Sequence, residues 1–269
     1  MMMKISIITP SYNQGQFIGQ TIESVLSQKG DFEVEYFVMD GGSTDNTVEI
    51  IKKYEAKIKN NEFKGLNNGI SFYWQSKKDK GQSEAINKGL KMSSGEIVAY
   101  LNSDDIYLEN CLYNVYSAFK NNTKAKWLTG YCKIINEHNT PIQKNIMRYK
   151  NFWLNHSSYK KLLVLNYFAQ PATFWRRELL DTIGFFDERI HYTMDYDYWL
   201  RIGKKFNPII LKKYLSGFRI HSTSKGGAQY IKQFNQDLET CTKYSSSPLI
   251  TKLHKMHNFI IKFTYKIIK

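Results

Sequence analysis

Apolar residues in the first hundred positions come in short runs, each followed by a polar loop and then by a stretch of helical periodicity. The run Lys4 to Ile8 predicts a buried strand that Thr9-Pro10 brings to a stop, with the turn SYNQG after it. Phe17, Ile18, Thr21, Ile22, Val25 and Leu26 then recur at the spacing of one helix face. Val34 to Met39 predicts a second strand closing on Asp40-Gly41-Gly42-Ser43-Thr44-Asp45. The helix after it, capped by Ser43 or Thr44, carries Val48, Ile51, Tyr54 and Ile58 on one side. Ile70 to Trp74 and Glu96 to Leu101 predict strands around a helix at Gln82 to Met92.

This strand-helix alternation predicts an α/β fold with a mostly parallel sheet, helices on both faces and ligands beyond the carboxyl ends of the strands. The polar loops at residues 9 to 15, 40 to 45, 76 to 81 and 102 to 105 all follow strands, so they gather on one rim. The second half predicts a helix around Leu108 to Phe119, a strand at Trp127 to Ile135 and an irregular, aromatic-rich stretch from 136 to 168. A strand at Gln170 to Trp175, a helix at Arg177 to Ile183, a helix at Met194 to Gly203 and two short strands, Pro208 to Leu211 and Leu215 to Ile220, complete it.

The length of 269 residues and 42% hydrophobic content suit one large domain, taken as residues 1 to 225, with an appendage at 226 to 269. No apolar run approaches the roughly 20 residues that span a bilayer, and the stretch after Lys4 is too short for a secretory signal, so a cytoplasmic protein is expected. Cys111, Cys132 and Cys241 are odd in number and far apart, which reads as reduced thiols rather than a disulfide frame or a zinc site. A net charge of +14 favours phosphates, nucleic acid or anionic lipid without choosing among them. In the appendage Lys243, Lys252, Lys255, Lys262, Lys266 and Lys269 interleave with Leu249, Ile250, Leu253, Phe259, Ile260, Phe263 and Ile267. That pattern is a basic amphipathic helix, either packed on the domain with its lysines in water or lying on an anionic membrane at the inner face of the cell.

No GxxxxGK[ST] and no GxGxxG after the first strand are present, which disfavours a P-loop NTPase or an ordinary dinucleotide dehydrogenase. Carboxylates stand at the strand ends instead. Asn102-Ser103-Asp104-Asp105 follows a buried strand, where a diphosphate-bound Mn²⁺ or Mg²⁺ would find hard oxygen ligands. Asp105 reads either as a second ligand or as the cap of a helix starting near Tyr107.

Taken in order, TPSYNQ, VMDGGSTDNT, DKGQSEAINKG, GEIVAYLNSDD, QPATFWRRELLDTIGFFDE and MDYDYWLR resemble the family 2 glycosyltransferases over roughly residues 4 to 225. These are inverting enzymes of the GT-A fold that use a sugar nucleotide. The resemblance implies a nucleotide-sugar donor, with a UDP-sugar as the default, and a glycan or lipid-linked acceptor of the kind used in bacterial surface polysaccharide synthesis. It puts Thr9, Pro10 and Tyr12 at the nucleobase and Asp40 at the first acidic position of the family's Asp-Asp-Gly-Ser, the second being Gly41 here. Asn102, Ser103 and Asp104 fall at the donor's ribose and diphosphate. Asp104 matches the last carboxylate of the DxD motif and is the metal ligand, while Asn102 replaces the first. Asp195 matches the general base, with Met194 in place of the usual Glu, and Asp197 points to another face of its helix. His221 stands where some GT-A enzymes supply an imidazole to the metal, with Arg219 and Lys225 as diphosphate partners. Aromatic residues between Tyr149 and Tyr167 are candidates for an acceptor platform. Two other readings fit part of the pattern: a basic nucleic-acid-binding protein, although no nucleic-acid motif is present, and a glycosyltransferase-like chain that binds without transfer.

Overall fold

The computed structural model of the chain describes residues 2–222 and 230–268, so Lys225, Gly226, Gly227 and Lys269 lie outside the described residues. In chain order the elements are β1 (Lys4–Ser11), α1 (Ile18–Leu26), β2 (Glu33–Asp40), α2 (Thr47–Lys59), β3 (Ile70–Ser76), α3 (Gln82–Met92), β4 (Ile97–Tyr100), β5 (Ile106–Tyr107), α4 (Cys111–Asn121) and β6 (Trp127–Ile135). There follow α5 (Lys144–Asn155), α6 (Tyr159–Val164), a 3₁₀ turn (Gln170–Ala172), β7 (Thr173–Arg176), α7 (Leu179–Ile183), α8 (Met194–Gly203), β8 (Ile209–Arg219), α9 (Tyr230–Tyr244) and α10 (Pro248–Ile268).

One sheet runs in the order β3-β2-β1-β4-β7-β6-β8-β5. β3, β2, β1 and β4 are mutually parallel, so the residues that follow β1, β2, β3 and β4 leave the sheet at one edge. β7 then pairs antiparallel with β4, which brings its entrance, the turn at Gln170, to the edge where β4 ends. β6 and β8 pair in parallel, and the two-residue β5 pairs antiparallel with β8 through Ile106 and Gly217. That last pairing fastens the loop after β4 to the end of β8.

β1 and β4 lie in the middle and are buried almost throughout, which suits their runs of Ile and Val. β1 does not stop at Pro10 but continues to Ser11. Gly41 N–H bonds Ser11 O on the β2 side and Leu101 N–H bonds Ile8 O on the β4 side, so Pro10 faces the β4 side beyond the end of that strand. Its missing N–H therefore leaves no ladder bond broken. α3 packs on β1 so closely that a Cβ on Gly89 would lie 2.7 Å from the Ile8 side chain.

Several sequence expectations are corrected. Residues 136 to 168 are not irregular but contain α5 and α6. The two last strands are one long β8, with the register shifting around Tyr131 where the exposed Lys212, Lys213 and Tyr214 pass. The strand expected from Gln170 starts only at Thr173, because Pro171 sits in a 3₁₀ turn. α2 begins at Thr47, so neither Ser43 nor Thr44 caps it. The appendage holds two helices. α10 packs against α6 and α9, with His254 wholly buried, and α9 packs on α8. Gly89→Val should lower the unfolding free energy by about 1–3 kcal/mol, as overpacking does, read from urea denaturation; an unchanged midpoint would contradict the close α3–β1 contact.

Candidate active site

The rim is organised around the loop that leaves β4. Leu101 N–H still bonds Ile8 O at 2.9 Å, and the chain then turns through Asn102-Ser103-Asp104-Asp105. From below, the buried Thr21 hydroxyl of α1 donates to both Ser103 O (2.8 Å) and Asp105 O (2.7 Å). From the side comes Arg219, the last residue of β8 and 0% exposed. Its Nε donates to Asp104 O at 2.7 Å, Nη1 to the carbonyls of Asn136 and Glu137, and Nη2 to Gln20 Oε1, while its backbone N–H donates to Asp105 Oδ1 at 2.8 Å. The guanidinium also lies 5.0 Å over the Phe17 ring. Arg219 is thus a buried clamp on the loop rather than a diphosphate partner, which corrects the expectation from sequence.

Asp105 is also reassigned. It is fully buried, and its carboxylate accepts from the Arg219 N–H and from Asn102 Nδ2 instead of capping a helix. Burial, and next the charge of Asp104, push its carboxyl well above the usual range, against the pull of Arg219 and Asn102. Asp104 points the other way, with 22% of its side chain exposed. Its Oδ2 lies 3.0 Å from His221 Nε2, two residues beyond Arg219, and the imidazole packs on Phe17 with ring centroids 4.6 Å apart.

Among the described residues no three His, Cys, Asp or Glu side chains converge as a metal site. Asp104 and His221 supply one hard oxygen and one nitrogen, a partial set that fits a Mn²⁺ whose remaining ligands come from a diphosphate and water. Mg²⁺ suits the oxygen better than the imidazole.

Asn102 joins a polar chain. Gln82, the first residue of α3, donates to Asn102 Oδ1 at 2.6 Å, Asn102 donates to Gln170 Oε1 at 3.2 Å, and Gln170 donates to Tyr100 O at 2.6 Å. Gly81 before α3 has φ of 129°, a conformation that a side chain would strain, and it starts the helix where Gln82 can reach the loop. Its neighbour Ser83 donates to Met194 Sδ at 2.7 Å, which fastens α3 to the first residue of α8. Consecutive residues of one helix thereby hold the β4 loop and the Asp195 helix together.

Asp195 is half-buried at the start of α8. Its Oδ1 accepts from the Tyr196 N–H at 2.8 Å, and Oδ2 has no hydrogen-bond partner among the described residues. Burial raises its carboxyl to about 6, with the Asp237 charge adding to the rise and Lys150 of α5 opposing it. The charges of Asp195 and Asp105 both act on Tyr100, at the end of β4, so the two carboxylates flank one strand end. Asp197 is different. It is 1% exposed and pairs with Arg201 and Lys243 at 2.9 Å and with the Tyr244 hydroxyl at 2.7 Å, tying α8 to α9.

The nucleobase end is less open than the sequence suggested. Thr9 is buried with its hydroxyl 3.0 Å from that of Tyr36, Pro10 is buried, and Tyr12 stands 59% exposed. Asp40 is 1% exposed and its carboxylate gathers the N–H groups of Gly42 and Ser43 and the hydroxyls of Ser43 and Ser76, shaping the loop that was expected to cap α2. Ser11, paired in register with Asp40, is 6% exposed and its hydroxyl has no partner among the described residues. Ser11, Thr21, Gln82 and Gln170 were not singled out from sequence as site residues, although Ser11 in TPSYNQ, Gln82 in DKGQSEAINKG and Gln170 in QPATFWRRELLDTIGFFDE stood in segments with a signal, and Thr21 only on a helix face.

Comparisons with known proteins bear on the family and the fold. The model of "Glycosyl transferase family 2" matches residues 6–184. Poly(ribitol-phosphate) beta-N-acetylglucosaminyltransferase TarP of Staphylococcus aureus is 27% identical over 289 residues, covering 100% of this chain and 80% of TarP. Poly-beta-1,6-N-acetyl-D-glucosamine synthase of Staphylococcus epidermidis is 33% identical over 133 residues, 49% of this chain and 29% of that protein. Among solved structures, S. aureus TarS 1-349 with UDP-GlcNAc superposes with a TM-score of 0.63 at 19% identity, covering 90% of this chain and 66% of that one. The mannosyltransferase PcManGT of Pyrobaculum calidifontis with GDP-Man and Mn2+ gives 0.65 at 16% identity, covering 96% and 69%. The sheet is of the GT-A type these structures share.

Two outcomes follow from the electrostatics. A carboxyl raised in the folded state stabilises the fold only below its unfolded value of about 4 and loses that contribution as pH rises through about 6. Asp195→Asn should therefore raise the melting temperature at pH 8 and leave it unchanged near pH 3.5; a lower melting temperature at pH 8 would contradict the burial of this carboxylate. Arg219→Met leaves buried acceptors unpaired and should cost about 3–5 kcal/mol in urea denaturation, and a loss below about 1 kcal/mol would remove its role as clamp.

Proposed function

The chain belongs to glycosyl transferase family 2, and we propose that it moves one sugar, with inversion, from a nucleotide diphosphate donor to a hydroxyl of a glycan or lipid-linked glycan acceptor. A UDP-sugar is the donor we favour, supported by the UDP-GlcNAc held by TarS. Both the TarP and the poly-N-acetylglucosamine synthase names point to bacterial surface polysaccharide as the setting.

The observation that carries the reading is the Gln82–Ser83 bridge, through which the Asp104 loop and the Asp195 helix share one rim. The donor lies along the carboxyl ends of β1, β2 and β4, over Pro10, Ser11 and Tyr12, with Asp40 shaping the loop beside it and Asn102 and Ser103 lining its sugar-diphosphate half. Ser11, whose buried hydroxyl has no partner among the described residues, lies beneath that donor. Asp104 and His221 would hold the divalent ion, which supplies positive charge against the departing diphosphate. The structure of PcManGT in complex with GDP-Man and Mn2+ supports a divalent ion beside the donor.

Asp195 Oδ2 takes the proton of the acceptor hydroxyl while that oxygen bonds to the anomeric carbon and the carbon–diphosphate bond breaks on the opposite face. A pKa of about 6 suits this role: the group is ionised at neutral pH yet more basic than an exposed aspartate. The start of α8 also favours its negative charge, and Asp197, locked to Arg201, Lys243 and Tyr244, holds the helix that presents it.

Asp104→Ala should abolish the Mn²⁺-dependent part of UDP-sugar binding in calorimetry; unchanged metal-dependent binding would remove Asp104 from the site. Asp195→Asn should slow single-turnover transfer on the order of a hundredfold to ten-thousandfold with donor affinity within a few-fold. Transfer at the wild-type rate would overturn the assignment of the base, and a wild type that binds donor yet transfers to no acceptor would favour a binding protein of this fold.

A further inference from the structure

α10 has two apolar faces, and the fold uses one. Its inner face is fixed to the domain by His254, whose Nδ1 lies 2.9 Å from Leu163 O and whose Nε2 lies 3.2 Å from Asp237 of α9, and by Asn258, which donates to Phe234 O. On the other side Leu249, Leu253, Met256, Phe259, Ile260 and Phe263 stand exposed, Phe259 by 72% and Leu249 by 65%. At 3.6 residues per turn these six fall within an arc of about 120°, nearly opposite His254 and Asn258. They leave several hundred Å² of contiguous apolar surface, more than a helix packed only on its own domain has reason to carry.

The polar residues around this stripe have one sign. Lys252 and Lys255 are exposed along its edge and Lys262 is half-buried beside them, while no Asp or Glu occurs from 248 to 268. On its other edge, His257 bonds and stacks on Tyr149 of α5 (2.9 Å), and Phe152, one turn further along α5, is 56% exposed. The apolar surface thus continues onto a second helix and ends in aromatic rings, with the exposed Arg148 among them.

We propose that this surface, the outer face of α10 with Tyr149 and Phe152 of α5, docks on an anionic lipid bilayer, its apolar side chains entering the headgroup boundary and its lysines meeting lipid phosphates. The charge pattern selects this occupant over a second copy of the chain. Two such stripes face to face would bring lysines together with no carboxylate on α10 to answer them, whereas anionic headgroups neutralise them. Among the described residues no helix is long and apolar enough to cross a membrane, so the contact is interfacial.

The position of the surface also deepens the transferase reading, on which this part rests. α10 lies against the Asp195 helix, its His254 ring stacked on that of Tyr196 with centroids 6.4 Å apart. A membrane under α5 and α10 would therefore lie on the acceptor side of the site, and a lipid-linked acceptor would present its hydroxyl to Asp195 from that side.

Co-sedimentation of the full chain with vesicles of phosphatidylcholine alone, or mixed with phosphatidylglycerol, tests the docking without donor or acceptor. The wild type should bind the anionic vesicles at low salt at least tenfold more tightly than the neutral ones, and salt should weaken the binding. Phe259→Ser with Phe263→Ser should lose at least tenfold on anionic vesicles, and so should Lys252→Gln with Lys255→Gln. All four side chains point outward, so circular dichroism and UDP-sugar binding should stay at wild-type values. No preference for anionic vesicles, or wild-type binding by the phenylalanine variant, would overturn the proposal. So would a wild-type oligomer that the phenylalanine variant converts to monomer, which would make the stripe a subunit interface. Because vesicle binding is read apart from transfer, an inactive Asp195→Asn protein that still docks separates the failure of one reading from the failure of the other.

Discussion

A single buried cation holds the rim together. Arg219 ends β8 far from β4 in sequence, yet its guanidinium and backbone N–H reach Asp104, Asp105, the 136–137 turn and Gln20 of α1 at once. Burying a guanidinium without partners is prohibitive, so the surrounding carbonyls and carboxylate must be in place for the chain to close there. Asp105 accepts the Arg219 backbone N–H, and the Phe17 ring covers the guanidinium. The outcome is a loop whose backbone is fixed from three sides while one side chain, Asp104, stays turned to solvent.

That arrangement divides three aspartates by environment. Asp105 is buried, pushed strongly toward protonation and structural; Asp104 is accessible and paired with His221; Asp195 is partly withdrawn from water and titrates near 6. A metal ligand needs an accessible anion and a general base needs a carboxylate of raised basicity, so these environments suit Asp104 and Asp195 to the two proposed roles that residue type alone leaves equivalent. The same logic sets Asp197 apart: two cations and a phenol saturate it, and it serves as the joint between α8 and α9.

Much of the architecture was legible because burial imposes period. The parallel half of the sheet showed as short apolar runs, and α3, β6 and α8 begin and end at the residues the pattern indicated. Where burial is partial the pattern fails. α5 buries only Met147 and Leu154 and reads as irregular, and β8 was split in two because Lys212, Lys213 and Tyr214 are exposed in its middle. A strand as short as β5 has no period at all, yet its pairing with Gly217 is what brings β8 to the carboxylates. The roles of Arg219 and Asp105 were illegible for a different reason: a basic residue and a paired Asp at a rim look like ligand groups until their partners are known. Ser43 likewise reads as a helix cap, whereas Asp40, three residues before it, already claims its hydroxyl.

The central claim is that donor and metal meet over the Arg219-clamped loop. The chain also offers a surface groove of about 640 Å³ along α1 and α2, lined by Gln16, Glu23, Tyr54 and Lys57, which holds none of Asp104, His221 or Asp195. An anomalous-difference map from crystals grown with UDP and Mn²⁺ discriminates between the two places. The account predicts one strong manganese peak touching Asp104 and His221, with the nucleotide running over Ser11 toward Asp40. A peak and nucleotide in the α1–α2 groove, or a nucleotide at the rim with manganese away from Asp104, would contradict it.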